Sequence, residues 1–68
     1  MRVYVNGEAR EFPSPLSLAD LITQLDLPPA RVAVELNRAV VRRSDWIATQ
    51  LNDDDRIEIV HFVGGGRS

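Results

Sequence analysis

The chain has 68 residues, enough for one domain, and a chain this short buries only about 60% of the surface that its unfolded form exposes. Its net charge of -2 argues against a nucleic-acid binder, which normally carries a strongly basic face. It has no cysteine, which excludes disulfides, thiolate metal sites and thiol nucleophiles. All eight basic residues are arginines, so no lysine amine is available as a nucleophile or as an acceptor for isopeptide bonds.

No apolar run approaches the ~20 residues needed to cross a bilayer, and the first ten residues lack the apolar segment of a signal peptide. We therefore expect a cytoplasmic protein that does not bind membranes and is a monomer when free.

Residues 2–5 alternate in polarity and are followed by Asn6-Gly7, a strong signal for a type I′ hairpin turn. Residues 8–12 then return as a second strand, which Pro13 ends because it has no N–H to donate.

A helix is predicted next, in the segment SLADLITQLDL. Ser17 is a candidate N-cap, with Asp20 three residues on, as in a capping box. Pro28-Pro29 stops the helix after about three turns. Its apolar face comprises Leu18, Leu21, Ile22 and Leu25, spaced i, i+3, i+4 and i+7.

From Val32 onward, apolar residues recur at every second position, which predicts a strand with Val32, Val34 and Leu36 on its core side. Asn37-Arg38 reads as a tight turn into a short strand at 39–41. The next segment is irregular: Ser44 or Asp45 is expected to cap a brief helical turn. That turn is expected to bring Trp46, Ile47 and Leu51 inward.

Residues 52–55 predict a surface turn and residues 56–63 a last strand. We therefore predict an α+β roll over residues 1–63, with a mixed sheet of four or five strands and one main helix on one face. This order of elements matches the ubiquitin-like β-grasp arrangement. Residues 64–68 are predicted to be a flexible glycine tail.

Few residues have the pattern of a catalytic or metal site. His61 is the only histidine and has no evident partner, so we assign it no role. The run Asp53-Asp54-Asp55 lacks the alternate spacing and the closing glutamate of a calcium loop and reads as a solvated turn. Glu35 and Glu58 are interpreted as surface charges. We predict neither catalytic residues nor a metal site.

The alternation of side chains along the strands indicates a surface for docking a partner protein. If Ile57, Ile59 and Val63 face the helix, then Val60 and Phe62 point to the uncovered side of the sheet, and Tyr4 does the same in the first strand. These three side chains, Tyr4, Val60 and Phe62, are predicted to form an exposed patch that contacts a partner protein. The alternative is a bulge that turns Phe62 into the core.

Gly64, Gly65 and Gly66 follow a strand with no helix after them, so they do not form a phosphate loop. A backbone without Cβ atoms can thread into a narrow active site of another protein. The alternative is an inert terminus.

Together, DRIEIVHFVGGG at 55–66, NGE at 6–8, the helix and VELNRAVVRRSDW at 34–46 resemble the ThiS family, the sulfur carriers of thiamine biosynthesis. The resemblance implies a β-grasp fold and a carrier that catalyses nothing and binds no cofactor. A ThiF-type adenylating enzyme would use ATP and magnesium to activate the carboxylate of Gly66. A sulfur donor such as a cysteine desulfurase would convert it to a thiocarboxylate, and a ThiG-type thiazole synthase would take the sulfur. Gly64 and Gly65 would thread into the partner's active site.

The chain departs from this family by continuing with Arg67-Ser68, which leaves no carboxylate on Gly66. The pair is either a cloning remnant or a native extension that a peptidase removes. Rival functions are a MoaD-like sulfur carrier for another pathway, a ubiquitin-like protein modifier, and an interaction module without chemistry at its terminus.

Overall fold

The computed structural model describes residues 1–62. In this part of the chain, no helix is long and apolar enough to cross a membrane. Two 3-10 helices, Pro29–Arg31 and Arg43–Ala48, lie in the connections between the main elements. The main elements are β1 (Arg2–Val5), β2 (Glu8–Glu11), α1 (Leu18–Gln24), β3 (Val32–Leu36), β4 (Ala39–Val41) and β5 (Arg56–His61).

The strands form one sheet of five, in the order β2-β1-β5-β3-β4. The first two strands are one antiparallel hairpin, and β3 and β4 are another. The last strand lies between the hairpins, parallel to β1 and antiparallel to β3. The predicted mixed sheet with one main helix is therefore confirmed, with five strands.

Both hairpin turns have two residues, and all four of these residues have positive φ. The angles are 51° and 84° at Asn6 and Gly7, and 51° and 74° at Asn37 and Arg38. Positive φ at both central positions is the signature of a type I′ turn, whose twist matches that of the strands. Both turns were predicted and are confirmed.

The helix begins with the predicted capping box. The Ser17 Oγ accepts a hydrogen bond from the Asp20 N–H at 3.0 Å, and the Asp20 Oδ2 accepts one from the Ser17 N–H at 3.3 Å. The two side chains thus satisfy two of the backbone donors that every helix leaves free at its start.

The helix is shorter than predicted, with seven residues, or about two turns. It ends before the prolines because Asp26 adopts a left-handed conformation with φ of 57°. The Asp26 N–H then donates to the Thr23 carbonyl and the Leu27 N–H to the Ile22 carbonyl, at 3.0 and 3.2 Å. These two bonds are a Schellman motif, with aspartate at the position that glycine usually occupies.

The core lies between α1 and one face of the sheet. Trp46 closes one end of it, with its indole Nε1 donating to the Val41 carbonyl at 3.0 Å. The buried apolar residues are Val3, Val5, Leu16, Leu18, Leu21, Ile22, Val32, Val34, Trp46, Leu51 and Ile57.

Two expectations for the irregular segment are wrong. Ile47 is 76% exposed, because in a 3-10 helix of three residues per turn the residue after the inward Trp46 is rotated by about 120°. Neither Ser44 nor Asp45 caps this helix, since its N-cap position is Arg42, without a side-chain capping bond.

Candidate functional site

The two faces of β5 differ as the sequence predicts. Ile57 is fully buried against the helix and Ile59 is half-buried, whereas Val60 is 60% exposed and Phe62 is 51% exposed. The Phe62 N–H donates to the Arg31 carbonyl at 2.8 Å and so continues the antiparallel pairing with β3. The backbone is therefore regular here, and the alternative in which a bulge turns Phe62 into the core is wrong.

Tyr4 shares this outer face but lies apart from the other two apolar side chains. It is half-buried and stands opposite Arg56, four residues before Val60, or about 13 Å along the strand. The guanidinium carbons of Arg56 and Arg2 lie 4.7 and 5.7 Å from the centre of its ring. Cations at these distances interact favourably with the ring face. The patch is thus two areas, an arginine-flanked Tyr4 and an apolar end at Val60 and Phe62; the docking role of all three residues stays a prediction.

Between these areas the register places Glu35 of β3 directly opposite Glu58 of β5. Both are exposed and line a shallow hollow of about 450 Å³ together with Arg38 and Arg56. Within residues 1–62, no salt bridge joins either glutamate to an arginine. The hollow is polar and open, in keeping with their interpretation as surface charges.

A groove of about 580 Å³ lies on the other face, between the C-terminal end of α1 and the sheet. Its apolar lining includes Val5, Leu25, Leu27 and Ile59, and His61 stands exposed at its rim. Glu8 and Arg10 also line this groove, and within residues 1–62 no salt bridge joins His61 to an acidic side chain.

The three consecutive aspartates each have a structural partner. The Asp53 Oδ1 accepts from the Arg2 N–H at 3.1 Å, and Asp54 forms a salt bridge with the Arg2 guanidinium at 3.6 Å. Asp55 accepts from the Asn52 N–H and from the Asn37 side-chain amide, at 2.8 and 3.0 Å. Across residues 1–62, no three acidic or histidine side chains are grouped so as to hold a metal ion. The acidic run therefore shapes a turn.

Two asparagine side chains bind the backbone of β5 from opposite sides. The Asn6 amide is bonded to both the N–H and the carbonyl of Ile59, and the Asn37 Oδ1 accepts from the Arg56 N–H at 2.9 Å. Sequence reasoning recognised both residues as turn formers but missed these bonds. The only sequence feature that could have indicated these bonds is the asparagine, rather than glycine, at the first position of both turns.

The predicted sulfur-carrying residue Gly66 and the predicted threading residues Gly64 and Gly65 lie outside the described residues. So do Val63 and the Arg67-Ser68 pair. In sequence, they follow Phe62, the residue after β5, which together with Val60 forms the apolar end of the outer face.

This mixed five-stranded sheet, with one helix against one face and the last strand at its centre, defines a β-grasp protein. Residues 3–66 match the model of the ThiS family. The crystal structure of the thiamine biosynthesis protein ThiS from Geobacter metallireducens aligns with a TM-score of 0.81 at 35% identity, covering 97% of this chain and 100% of that one. The chain belongs to the ThiS family.

Two relatives of known name add to this. The sulfur carrier protein ThiS of Bacillus subtilis is 40% identical over 50 residues, which are 74% of this chain and 76% of that protein. A thiazole synthase of Magnetococcus marinus is 43% identical over 67 residues, 98% of this chain but 21% of that protein. The chain thus spans about a fifth of the thiazole synthase that it matches.

Proposed function

We propose that this protein is the sulfur carrier of thiamine biosynthesis and that its sulfur is carried as a thiocarboxylate on Gly66. The observation that supports this most directly is the family match over residues 3–66, which includes the three glycines. The carrier performs no catalysis itself and holds no cofactor; its terminal carboxylate is a substrate of partner enzymes.

The chemistry follows from the weak electrophilicity of a carboxylate. An oxygen of the Gly66 carboxylate attacks the α-phosphorus of ATP, with magnesium on the phosphates, and pyrophosphate leaves. Sulfur from a cysteine persulfide then attacks the acyl carbon and displaces AMP. A thiol cleaves the sulfur–sulfur bond, and the thiocarboxylate that remains is a charged, polarisable nucleophile. An adenylating enzyme of the ThiF type and a sulfur donor such as a cysteine desulfurase are the partners required.

A ThiG-type thiazole synthase is the proposed acceptor of the sulfur. The Magnetococcus marinus protein of that name contains a segment similar to this whole chain, which supports a physical link between carrier and acceptor. Val60 and Phe62 are exposed on the outer face, and in sequence only Val63 separates Phe62 from Gly64. We therefore expect a partner that docks there to receive Gly64 and Gly65 in its own active site. Apolar side chains at the centre of an interface contribute most to such docking.

Intact-mass measurement tests the proposal. The chain ending at Gly66 is incubated with ATP, magnesium, the adenylating enzyme and a sulfur donor, and we expect a mass gain equal to the exchange of one oxygen for sulfur. The chain that retains Arg67-Ser68 is the matched control and should gain nothing, because its Gly66 has no free carboxylate.

The rival functions give different products. Attachment to cellular proteins, seen as bands of higher mass, would identify a ubiquitin-like modifier instead. Thiocarboxylate formation followed by sulfur transfer to a molybdopterin precursor, and not to the thiazole synthase, would identify a MoaD-like carrier. If the trimmed chain does not react at all, the remaining interpretation is an interaction module without chemistry at its terminus. The proposal retains the predicted cytoplasmic location and monomeric free state.

A further inference from the structure

The central strand β5 is poorly supported by β1 over its second half. The two strands pair through only two residue pairs, Tyr4 with Arg56 and Val5 with Ile57. After Val5 the chain turns away at Asn6 into the first hairpin. The main chain of β1 therefore offers no partner to the backbone of β5 beyond Ile57.

Beyond Ile57, the side chain of Asn6 forms the hydrogen bonds to β5 on this side. The Asn6 main-chain N–H donates to the Ile57 carbonyl at 2.8 Å, as the last bond of the ladder. Its side-chain Oδ1 then accepts from the Ile59 N–H at 2.7 Å, and its Nδ2 donates to the Ile59 carbonyl at 3.3 Å. A side-chain amide has the same donor and acceptor as a peptide group. The Asn6 side chain thus extends the hydrogen bonding along β5 by one residue, Ile59, without adding a residue to β1.

These two bonds hold the segment that carries the apolar end of the outer face. On its other side, β5 is paired with β3 as far as His61. Without the Asn6 amide, the strand beyond Ile57 is supported from one side only. A partner that docks on Val60 and Phe62 must then order this segment when it binds, and such ordering weakens binding.

We propose that Asn6 is a positioning residue for the carrier reaction: its side-chain amide fixes the end of β5 so that Val60 and Phe62 are presented to the adenylating enzyme in one orientation. This inference rests on the proposed function and adds a residue to the carrier reaction. Asn6 acts through the backbone of Ile59.

The test compares Asn6→Gly with Asn37→Gly. Each variant removes one asparagine amide that binds near β5, and each keeps a residue that tolerates positive φ in the turn. The Asn37 amide binds at Asp55 and Arg56, the far end of the strand from the glycines. Asn37→Gly is therefore a control for the general loss of hydrogen bonds to this strand.

Amide hydrogen exchange provides a readout that does not depend on sulfur chemistry. In Asn6→Gly, the Ile59 amide should exchange about tenfold faster, which is the scale of one or two lost hydrogen bonds. In Asn37→Gly, the Arg56 amide should change and the Ile59 amide should not. Unchanged exchange at Ile59 in Asn6→Gly overturns the inference.

Kinetics of adenylation provide the functional readout, with each chain ending at Gly66. Asn6→Gly should raise the KM for the carrier about tenfold, with kcat within about twofold, because binding requires ordering but the bound carboxylate is unchanged. Asn37→Gly should leave KM unchanged. Equal KM values in the two variants overturn the inference, whereas absence of adenylation in the unsubstituted chain overturns the proposed function itself.

A second substitution keeps the test decisive if Asn6→Gly does not fold. Asn6→Asp retains an acceptor for the Ile59 N–H but loses the donor to the Ile59 carbonyl. Aspartate also tolerates positive φ. Its KM should lie between those of the unsubstituted chain and Asn6→Gly, and a KM equal to that of the unsubstituted chain contradicts the inference.

Discussion

At the scale of single residues, the chain uses left-handed backbone conformations to make its turns and its helix end. Four of the non-glycine residues concerned are asparagine or aspartate, which tolerate this conformation because their short side chains form local hydrogen bonds. Arg38 is the exception, with φ of 74° and no such local bond. The full set within residues 1–62 is Asn6, Asp26, Asn37, Arg38 and Asp54.

Replacing Arg38 by glycine should therefore stabilise the protein. A left-handed conformation costs a residue with a Cβ atom about 1–2 kcal/mol, and the greater freedom of glycine in the unfolded chain offsets part of the gain. We expect the free energy of unfolding in urea to rise by about 0.5–1 kcal/mol. Arg38→Ala removes the same charge but keeps the Cβ atom, so it should show no such gain. A glycine variant no more stable than the alanine variant would refute this account of the turn.

At the scale of elements, the stability of α1 depends on the hydrogen bonds at its two ends. A helix of seven residues is too short to be stable in isolation, so packing and capping bonds decide whether it forms. Ser17 is itself 5% exposed, and a buried N–H left without its acceptor is more unfavourable than an exposed one. The capping box and the Schellman motif at the other end account for the helix boundaries.

Replacing Ser17 by alanine should destabilise the protein by about 1–2 kcal/mol, the upper part of the range measured for loss of an N-cap, because Ser17 is buried. The matched control is Ser44→Ala, because Ser44 is exposed and its side chain makes no hydrogen bond within the described residues. Its unfolding free energy should stay within about 0.5 kcal/mol of the unsubstituted chain. Equal effects of the two substitutions, measured by thermal or urea unfolding, would show that the capping box contributes nothing.

The sequence predicts elements well where the signal is local. The capping residue Ser17, the turn at Asn6-Gly7 and the parity of β5 all follow from neighbouring residues, and they are confirmed. The helix end was missed because Asp26 occupies a position where glycine is the usual signal. Ile47 was misplaced because the 3-10 geometry of its segment was not evident from the pattern.

The candidate site was predictable only in part for the same reason. The exposure of Val60 and Phe62 follows from alternation along one strand. The separation of Tyr4 from them, and the bonds of Asn6 to Ile59, depend on how residues more than fifty positions apart are paired. The register of β1 against β5 is set by tertiary packing, and no local pattern reports it.

At the scale of the whole molecule, one face of the sheet packs against the helix and the other face is exposed. The inner face holds the core against α1, and the outer face presents charged groups in its middle and apolar groups at the end of β5. Val40 at the outer edge is also exposed, at 75%, but lies two strands away on β4. Val60 and Val40 are both exposed on the outer face, one at the proposed docking end and one at the edge of the sheet. Matched substitutions at the two positions therefore test whether docking uses the end of β5.

Val60→Gln should weaken recognition by the adenylating enzyme, with KM for the carrier raised about tenfold, because a polar group replaces an apolar contact at the centre of the proposed interface. Val40→Gln should leave this KM unchanged. Both variants should unfold at nearly the same temperature as the unsubstituted chain, since both positions are exposed. A similar KM change in both variants would place the docking surface elsewhere on the sheet.

The position of β5 between the two hairpins also determines how the chain reaches its folded state. Each hairpin forms from residues close in sequence, but joining them requires closure of long loops, which slows folding. The pairing of β5 with the two hairpins is therefore the part of the sheet that requires the longest loop closure. The outer-face residues of β5 are in place only when β5 has paired with both hairpins, so we expect a partly folded chain to lack the surface that the proposed partner enzyme would recognise.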